Sequence, residues 1–378
     1  MHTIELPEPT LVTTQTELDK VSRTLAQHPL VAVDTEANSL YAYREQVCLI
    51  QFSTPDTDYL VDPLALEDLS PLGQIFNDPA IEKIFHAAEY DLIILQRDFG
   101  FSFDGLFDTM LASRILGLKS VGLSSLLESY FGVNVDKKYQ RANWGRRPLP
   151  AEMLSYAQMD THYLIPLRHK LKTMLQSNRR WELAQEDFRR ACHVNAEHND
   201  PKPVNCWRIN GSQYLEPRQL AVLHELCHLR DQKARALDRP LFKVISDKSL
   251  INIAIANPDS PARLERVPGV SHKQVRWIGR ELLEAVRIGH QKNPPRQPRK
   301  KRPSDQYLNR VDTLRQWRKT TARHFNVESD VILPKDLLYD LAENNPQTPT
   351  EITQLLHTVP WRLDKFGDEI FHLLRASK

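Results

Sequence analysis

The strand-like run Leu30 to Val33 leads into two acids, Asp34 and Glu36, and further acids stand far downstream at Asp91 and Asp160. A fold for this chain has to account for those separated charges. Side chains alternate along a strand, so Asp34 and Glu36 point one way and Thr35 the other. Asp91 lies in an amphipathic stretch, Glu89 to Gln96, behind the apolar run Ile81 to Phe85. This predicts the first turn of a helix that follows a strand, where the helix N-terminus favours a negative charge. Tyr156 and Asp160 are four residues apart in a long helical pattern, Ala151 to Leu175, and therefore share a face.

Four carboxylates converging on one pocket raise each other's pKa instead of ionising together, so the arrangement calls for a countercharge. An all-oxygen donor set favours Mg²⁺ or Mn²⁺ over zinc. Two such ions, roughly 4 Å apart, stabilise the attacking and leaving oxygens of a phosphoryl displacement. Phosphodiester hydrolysis is the reaction implied.

The segments VDTE, VCLIQFST, the stretch starting at His86, FDTMLASRILG, LSSLLESYFGV, WGRRPL and YAQMDTHYLIPL follow one another in an order that resembles the DEDD 3′-to-5′ exonucleases, in the subgroup with Tyr before the last Asp. More closely, the chain resembles the ribonuclease D family. That resemblance implies a ribonuclease H-like α/β domain, a mixed sheet flanked by helices, over residues 1–200. It places the metal ligands at Asp34, Glu36, Asp91 and Asp160, with Tyr156 contacting the attacking water. It further implies that Asp34 bridges both ions, that Glu36 and Asp160 complete the ion beside the water, and that Asp91 serves the leaving-group side. Asn143 stands where relatives usually carry Asp. His86 reads as a structural histidine beneath the site rather than a general base.

Between Lys137 and Arg147 the chain turns basic, with aromatics interleaved. Phosphates need cations and an unpaired base can stack on an aromatic face, so Lys137, Arg141, Trp144, Arg146 and Arg147 are candidate substrate contacts. For Trp144 a packed local core is an equally good reading.

Net charge is only +2, but residues 1–200 carry 19 Lys or Arg against 28 Asp or Glu, net −9, and residues 201–378 carry 31 against 20, net +11. An acidic half holding a carboxylate site, joined to a basic half, suits an enzyme acting on a polyanion. The four cysteines form no disulfide framework, and Cys48 reads as a small core residue. Cys206, His224, Cys227 and His228 include no CxxC pair and read as helix packing rather than a zinc site. No apolar run is long enough for a membrane span, and the N-terminus has no signal-peptide pattern, so a cytoplasmic protein with no membrane partner is expected.

Past the joint NDPKPVNCW the pattern becomes helical and repeats at an offset of 88 residues, which aligns Pro258 with Pro346, Pro261 with Pro349, Gly279 with Gly367 and Glu281 with Glu369. The repeat resembles the all-α HRDC module, which assists nucleic-acid binding in ribonuclease D and RecQ-type helicases. Module 1 is expected over 210–290 and module 2 over 305–378, joined by a basic, Pro-rich linker at 291–304. Trp277 and Trp317 are expected in or near module cores.

The resemblance implies a 3′-to-5′ exoribonuclease that uses two divalent ions, Mg²⁺ or Mn²⁺, and releases 5′-mononucleotides from tRNA precursors and other structured RNA. A monomer without an obligate protein partner is expected. The same carboxylates would serve a DNA exonuclease, and an inactive nucleic-acid-binding scaffold is the reading from another class; no residue in the motifs alone discriminates at the sugar.

Overall fold

Strand β2 (Leu30–Ala37) buries Val31, Ala32 and Val33 in succession, and β3 (Val47–Ser53) buries every residue. Such runs need cover on both faces of a sheet. The computed structural model describes residues 6–135, 137–193, 204–294 and 302–376. In it β2 and β3 sit inside a six-stranded sheet with β1 (Thr10–Val12), β4 (Asp58–Val61), β5 (Glu82–Phe85) and β6 (Leu106–Asp108). The order is β1-β4-β3-β2-β5-β6. β3 and β4 are antiparallel, whereas β1 and β4, β2 and β5, and β5 and β6 are parallel.

Helices follow in chain order: α1 (Gln15–Leu25), α2 (Ser70–Asn77), α3 (Glu89–Phe99), α4 (Thr109–Leu116), α5 (Leu123–Phe131), α6 (Ala151–His162), α7 (Leu164–Ser177) and α8 (Trp181–Ala191). Ala32, Ile84 and Phe107 face one core cluster with α4, α5, α7 and α8. Phe85, next along β5 and therefore on the opposite face, meets Phe76 of α2. β1 and β6 are not legible as strands in the sequence because each is a three-residue edge, too short to show a period. The continuous helix expected over Ala151 to Leu175 breaks at Tyr163. Pro166 is the cause: it lacks an N–H, and its ring excludes the carbonyl of His162 from a regular helix.

Tertiary contacts divide the chain into two compact units that do not follow chain order. One comprises 1–36, 47–197 and 302–378; the other comprises 37–46 and 198–301. The second unit holds the first helical module, α9 (Pro217–Ala236), α10 (Leu241–Val244), α11 (Asp247–Ala256), α12 (Pro261–Glu265) and α13 (His272–Gln291). Residues 37–46 belong to it through Tyr43, whose hydroxyl donates to Asp231 at 2.7 Å and whose N–H donates to Asp238 at 3.0 Å. The second module, α14 (Asp305–Phe325), α15 (Ser329–Ile332), α16 (Lys335–Asn344), α17 (Pro349–Leu355) and α18 (Pro360–Ala376), belongs to the first unit.

The repeat has a physical basis. α11 and α16 end on Asn257 and Asn345, 88 residues apart and both left-handed, at φ 48° and 44°; asparagine tolerates that conformation better than most residues. A proline follows each, and Pro261 and Pro349 open α12 and α17, where a missing N–H costs nothing. Gly279 and Gly367 relieve crowding within their own helices, where an added Cβ would meet Val275 at 3.3 Å and Leu363 at 2.9 Å; toward the short helices it would make only an ordinary contact. A Cβ on Gly279 would lie 3.5 Å from Leu264 of α12, and one on Gly367 3.7 Å from Ile352 of α17.

The second module is held to the exonuclease-like body by a buried charge cluster. Arg362, with no solvent exposure, pairs with the equally buried Glu186. It also donates to Asp187 at 3.0 Å and to the carbonyls of Val331 and Ile332 at 2.7 and 3.1 Å. Around it Arg114 pairs with Glu328 and Asp330, each at 2.6 Å. Arg180 donates to the carbonyls of Ile115 and Phe325. Trp317 is buried as expected, but Trp277 is 45% exposed. The expectation of a core position fails there because Ile278, Leu282 and Ala285 carry the buried side of α13, and Trp277 falls off that face. The region 295–301 of the expected linker lies outside the described residues. No helix among the described residues is long and apolar enough to cross a membrane.

Candidate active site

β2 and β5 run parallel, so their carboxyl ends share one edge of the sheet, where ligands collect in α/β folds. Asp34 and Glu36 occupy that end of β2. The turn after β5 begins at His86 and leads into α3, with Asp91 in its first turn. Asp108, at the end of the neighbouring β6, fastens this turn. Its carboxylate accepts from Ala87 N at 3.1 Å and Ala88 N at 2.8 Å, and from Met110 N at 2.7 Å and Leu111 N at 3.0 Å as the cap of α4. Ala87 is thereby held at φ 63°, an uncommon conformation for alanine. Asp108→Ala is expected to cost about 2–3 kcal/mol, the scale of a lost cap plus freed backbone donors. Urea unfolding would measure it.

From the other side, α6 presents Tyr156 and Asp160 one turn apart. Carboxylate oxygens of Asp34, Glu36 and Asp160 all lie within 4.8 Å of one another. Asp91 stands outside that triplet and accepts a hydrogen bond from the Thr35 hydroxyl. Strand alternation sends Thr35 away from the acid pair, yet it too lines the pocket, a cleft of about 390 Å³ that also includes His86, Ser124, Ser125, Lys137 and Gln140.

Burial raises the pKa of every acid here, and mutual repulsion adds to it. Glu36 is pushed up to about 9 by burial and then by Asp160 and Asp91. Asp160 is pushed up to about 7 by burial and Asp91, and Asp91 to about 7 chiefly by burial. Asp34 rises well above the carboxylate range for the same reasons. Tyr156 is held far above its ordinary value by burial and by Asp160, Glu36 and Asp34. Clustered oxygen donors that ionise only with a countercharge fit a hard divalent cation.

These shifts make stability depend on pH in a stated direction. The folded values lie above the unfolded ones, near 4, so between about pH 4 and 9 these acids bind more protons in the folded than in the unfolded state of the metal-free chain. Its Tm is expected to fall as pH rises from 6 to 9, and Mn²⁺ should flatten that slope. A scanning-calorimetry series with and without chelator checks both.

The basic loop divides differently from the sequence reading. Lys137 lines the pocket, and Arg141 and Arg146 are exposed. Trp144 is only 1% exposed and packs with Cys48, Leu49, Leu60, Met153 and Ala157, so its face is closed to a base. Arg147 is likewise structural. It pairs with Asp62 through Nε at 2.5 Å and Nη2 at 2.6 Å, and donates to the carbonyls of Cys48 and Trp144 at 2.6 and 2.7 Å. Burying Trp144 needs this loop closed on β3 and β4, and Arg147 closes it. Among the described residues the only three-ligand His, Cys or acid cluster is the one at Asp34, Glu36 and Asp160; Cys206 and Cys227 are core residues.

Sequence reading passed over Asp108, Thr35, Gln140 and the α5 residues Ser124 and Ser125. Asp108 before α4 is a legible cap signal. Its second task, holding residues 87 and 88, depends on β5 and β6 being neighbours.

A family model described as a 3′-5′ exonuclease matches residues 9–176, and the HRDC domain model matches 219–286 and 308–374. The chain is 32% identical to ribonuclease D of Granulibacter bethesdensis over 70% of this chain and 67% of that protein. It is 36% identical to protein RRP6-like 2 of Arabidopsis thaliana over 68% of this chain but spans only 31% of that relative's length. The crystal structure of Escherichia coli RNase D, an exoribonuclease involved in structured RNA processing, superposes with a TM-score of 0.67 at 26% identity, covering 98% of this chain and 99% of that one. With that coverage of the Granulibacter ribonuclease D, and with the exonuclease and HRDC models matching along its length, this chain belongs to the ribonuclease D family of 3′-to-5′ exoribonucleases.

Proposed function

We propose that this chain removes 5′-mononucleotides from the 3′ ends of structured RNA, tRNA precursors among them, with two divalent ions at the acid cluster, as a cytoplasmic enzyme. The supporting observation is the convergence of Asp34, Glu36 and Asp160 within 4.8 Å beneath Tyr156 on α6. Asp34, Glu36, Asp91 and Asp160 would hold the ions, which when bound supply charge neutralisation for an in-line displacement at phosphorus. Asp91 enters through its position opposite β2, where Thr35 fixes its carboxylate.

Tyr156 has a narrower task. Its raised pKa keeps the phenol protonated near neutrality, so it orients the attacking water by hydrogen bonding and does not remove its proton. Gln140 hydrogen-bonds the phenol, and Tyr139 and Trp144 pack against its ring at centroid distances of 5.9 and 6.1 Å. Tyr156→Phe is expected to lower kcat by about ten- to a hundredfold, the lower range of positioned proton-relay groups, with Mn²⁺ affinity little changed. Steady-state kinetics and metal titration separate the two.

The decisive test uses matched 3′-extended RNA and DNA oligonucleotides labelled at the 5′ end, with Mg²⁺, Mn²⁺ or chelator. A metal-dependent ladder receding from the RNA 3′ end is expected. Shortening of DNA alone would replace the substrate, and tight binding without shortening would leave a scaffold.

A further inference from the structure

His86 is the first residue after β5 and lines the same cleft as Asp34, Glu36 and Asp160. Its protonation pattern follows from its neighbours. Thr109 Oγ1 lies 2.9 Å from the Phe85 carbonyl and 2.9 Å from His86 Nδ1. A hydroxyl has one proton and a carbonyl can only accept, so Thr109 donates to Phe85 and must accept from His86. Nδ1 therefore carries the ring proton, and Nε2 keeps a free lone pair. Burial lowers the imidazole's pKa, which keeps the ring neutral near pH 7.

The other polar groups of the cleft have different capacities. Asp34, Glu36 and Asp160 are the cation's ligands under the reading above. Lys137 can only donate, Gln140 is engaged with Tyr156, Thr35 donates to Asp91, and the Ser124 and Ser125 hydroxyls donate as readily as they accept, so they discriminate a donor less than a bare nitrogen lone pair does. His86 Nε2 is thus a neutral acceptor outside the ligand set, on a ring oriented by the Nδ1 hydrogen bond to Thr109 and carried on a backbone turn that Asp108 anchors at the next two N–H groups. A neutral acceptor repels phosphate oxygens and seeks a donor. On the sugar–phosphate end of a nucleic acid the donors are the 3′-hydroxyl, common to both polymers, and the 2′-hydroxyl, present only in RNA.

We propose that His86 Nε2 accepts a hydrogen bond from the 2′-hydroxyl of the terminal ribose and so makes His86 the residue that selects RNA over DNA. The inference rests on the exoribonuclease reading and names the sugar contact of that same site. It assigns His86 to specificity rather than to the chemical step.

The test changes only the last sugar of one RNA oligonucleotide: ribose, 2′-deoxy or 2′-fluoro. Removal of the first nucleotide is timed for the unaltered protein and for His86→Phe and His86→Gln. The unaltered protein is expected to release the terminal ribonucleotide about tenfold faster than either modified one, the scale of one hydrogen bond. Fluorine accepts but does not donate, so 2′-fluoro should match 2′-deoxy. In His86→Phe the ribose-to-deoxy ratio should collapse to about one, whatever the absolute rate, and His86→Gln, which restores an acceptor, should recover part of it.

Equal rates on the three sugars with the unaltered protein would overturn the proposal without using a variant. So would a His86→Phe protein that slows on all three while keeping the tenfold ratio, since that marks a structural role. Failure to shorten the all-ribose strand would instead defeat the exoribonuclease reading itself, a separate result.

Discussion

Asp34→Asn should reduce exonucleolytic turnover by roughly 10³-fold or more, equivalent to losing about 4 kcal/mol of transition-state stabilisation, while leaving a folded protein. The substitution is nearly isosteric and removes one negative charge from a cluster whose oxygens lie within 4.8 Å of each other. Burial first, and repulsion within the cluster second, burden the metal-free fold, as the raised pKa values of Asp34, Glu36, Asp91 and Asp160 show. The variant should therefore melt above the parent in chelator and lose the stabilisation that Mn²⁺ confers on the parent. Turnover and calorimetry on the same preparations measure both. Near-normal rates in a purified, Mn²⁺-loaded variant would remove Asp34 from the site.

Arg362→Met is expected to destabilise the first unit by about 3–5 kcal/mol, the cost of stripping one partner from a buried ion pair. Burial already raises the pKa of Glu186 despite the guanidinium beside it. Without Arg362 the acid stays buried with only the Trp361 and Arg362 N–H groups, at 2.7 and 3.4 Å, and the carbonyls of Val331 and Ile332 lose their donor. Adding Glu186→Gln should restore part of the loss, because the orphaned charge goes with it. By contrast, Asp336→Ala, which breaks the Arg190–Asp336 pair on a residue whose side chain is 61% exposed, should cost under about 1 kcal/mol. Chemical denaturation across the set checks the order. A small loss for Arg362→Met would show that the second module contributes little to the exonuclease-bearing unit.

Paired HRDC modules in one sequence invite equal roles, but their packing separates them. The first clusters with residues 37–46, and the second clusters with the exonuclease body, where its charged residues Glu328, Asp330, Asp336 and Arg362 are spent on that packing. The positive charge of the C-terminal half lies outside module 2: residues 305–378 carry 10 Lys or Arg against 11 Asp or Glu, net −1, whereas residues 201–304 carry 21 against 9, net +12. Module 1 keeps a groove of about 1040 Å³ lined by Trp277, Arg276, Arg280, Arg287 and His290, among others.

Local chemistry made much of this protein readable in advance. Acids two apart on a strand and a Tyr–Asp pair one helical turn apart have their relative directions set by backbone period alone, and an 88-residue repeat follows from caps and prolines that act within a few residues of themselves. Tertiary structure decided what depends on distant partners. Trp144 and Arg147 have the composition of an RNA contact, and only the closure of their loop on β3, β4 and Asp62 turns them into core and clamp. Asp108 reads as a cap, yet its hold on the His86–Asp91 turn exists because β6 lies beside β5. Glu186 and Arg362, 176 residues apart, pair because the packing of α18 on α8 buries both, with Asp187 the second acid on the guanidinium. Periodicity reports which way a side chain points; what it meets there is set by elements that the local sequence does not encode.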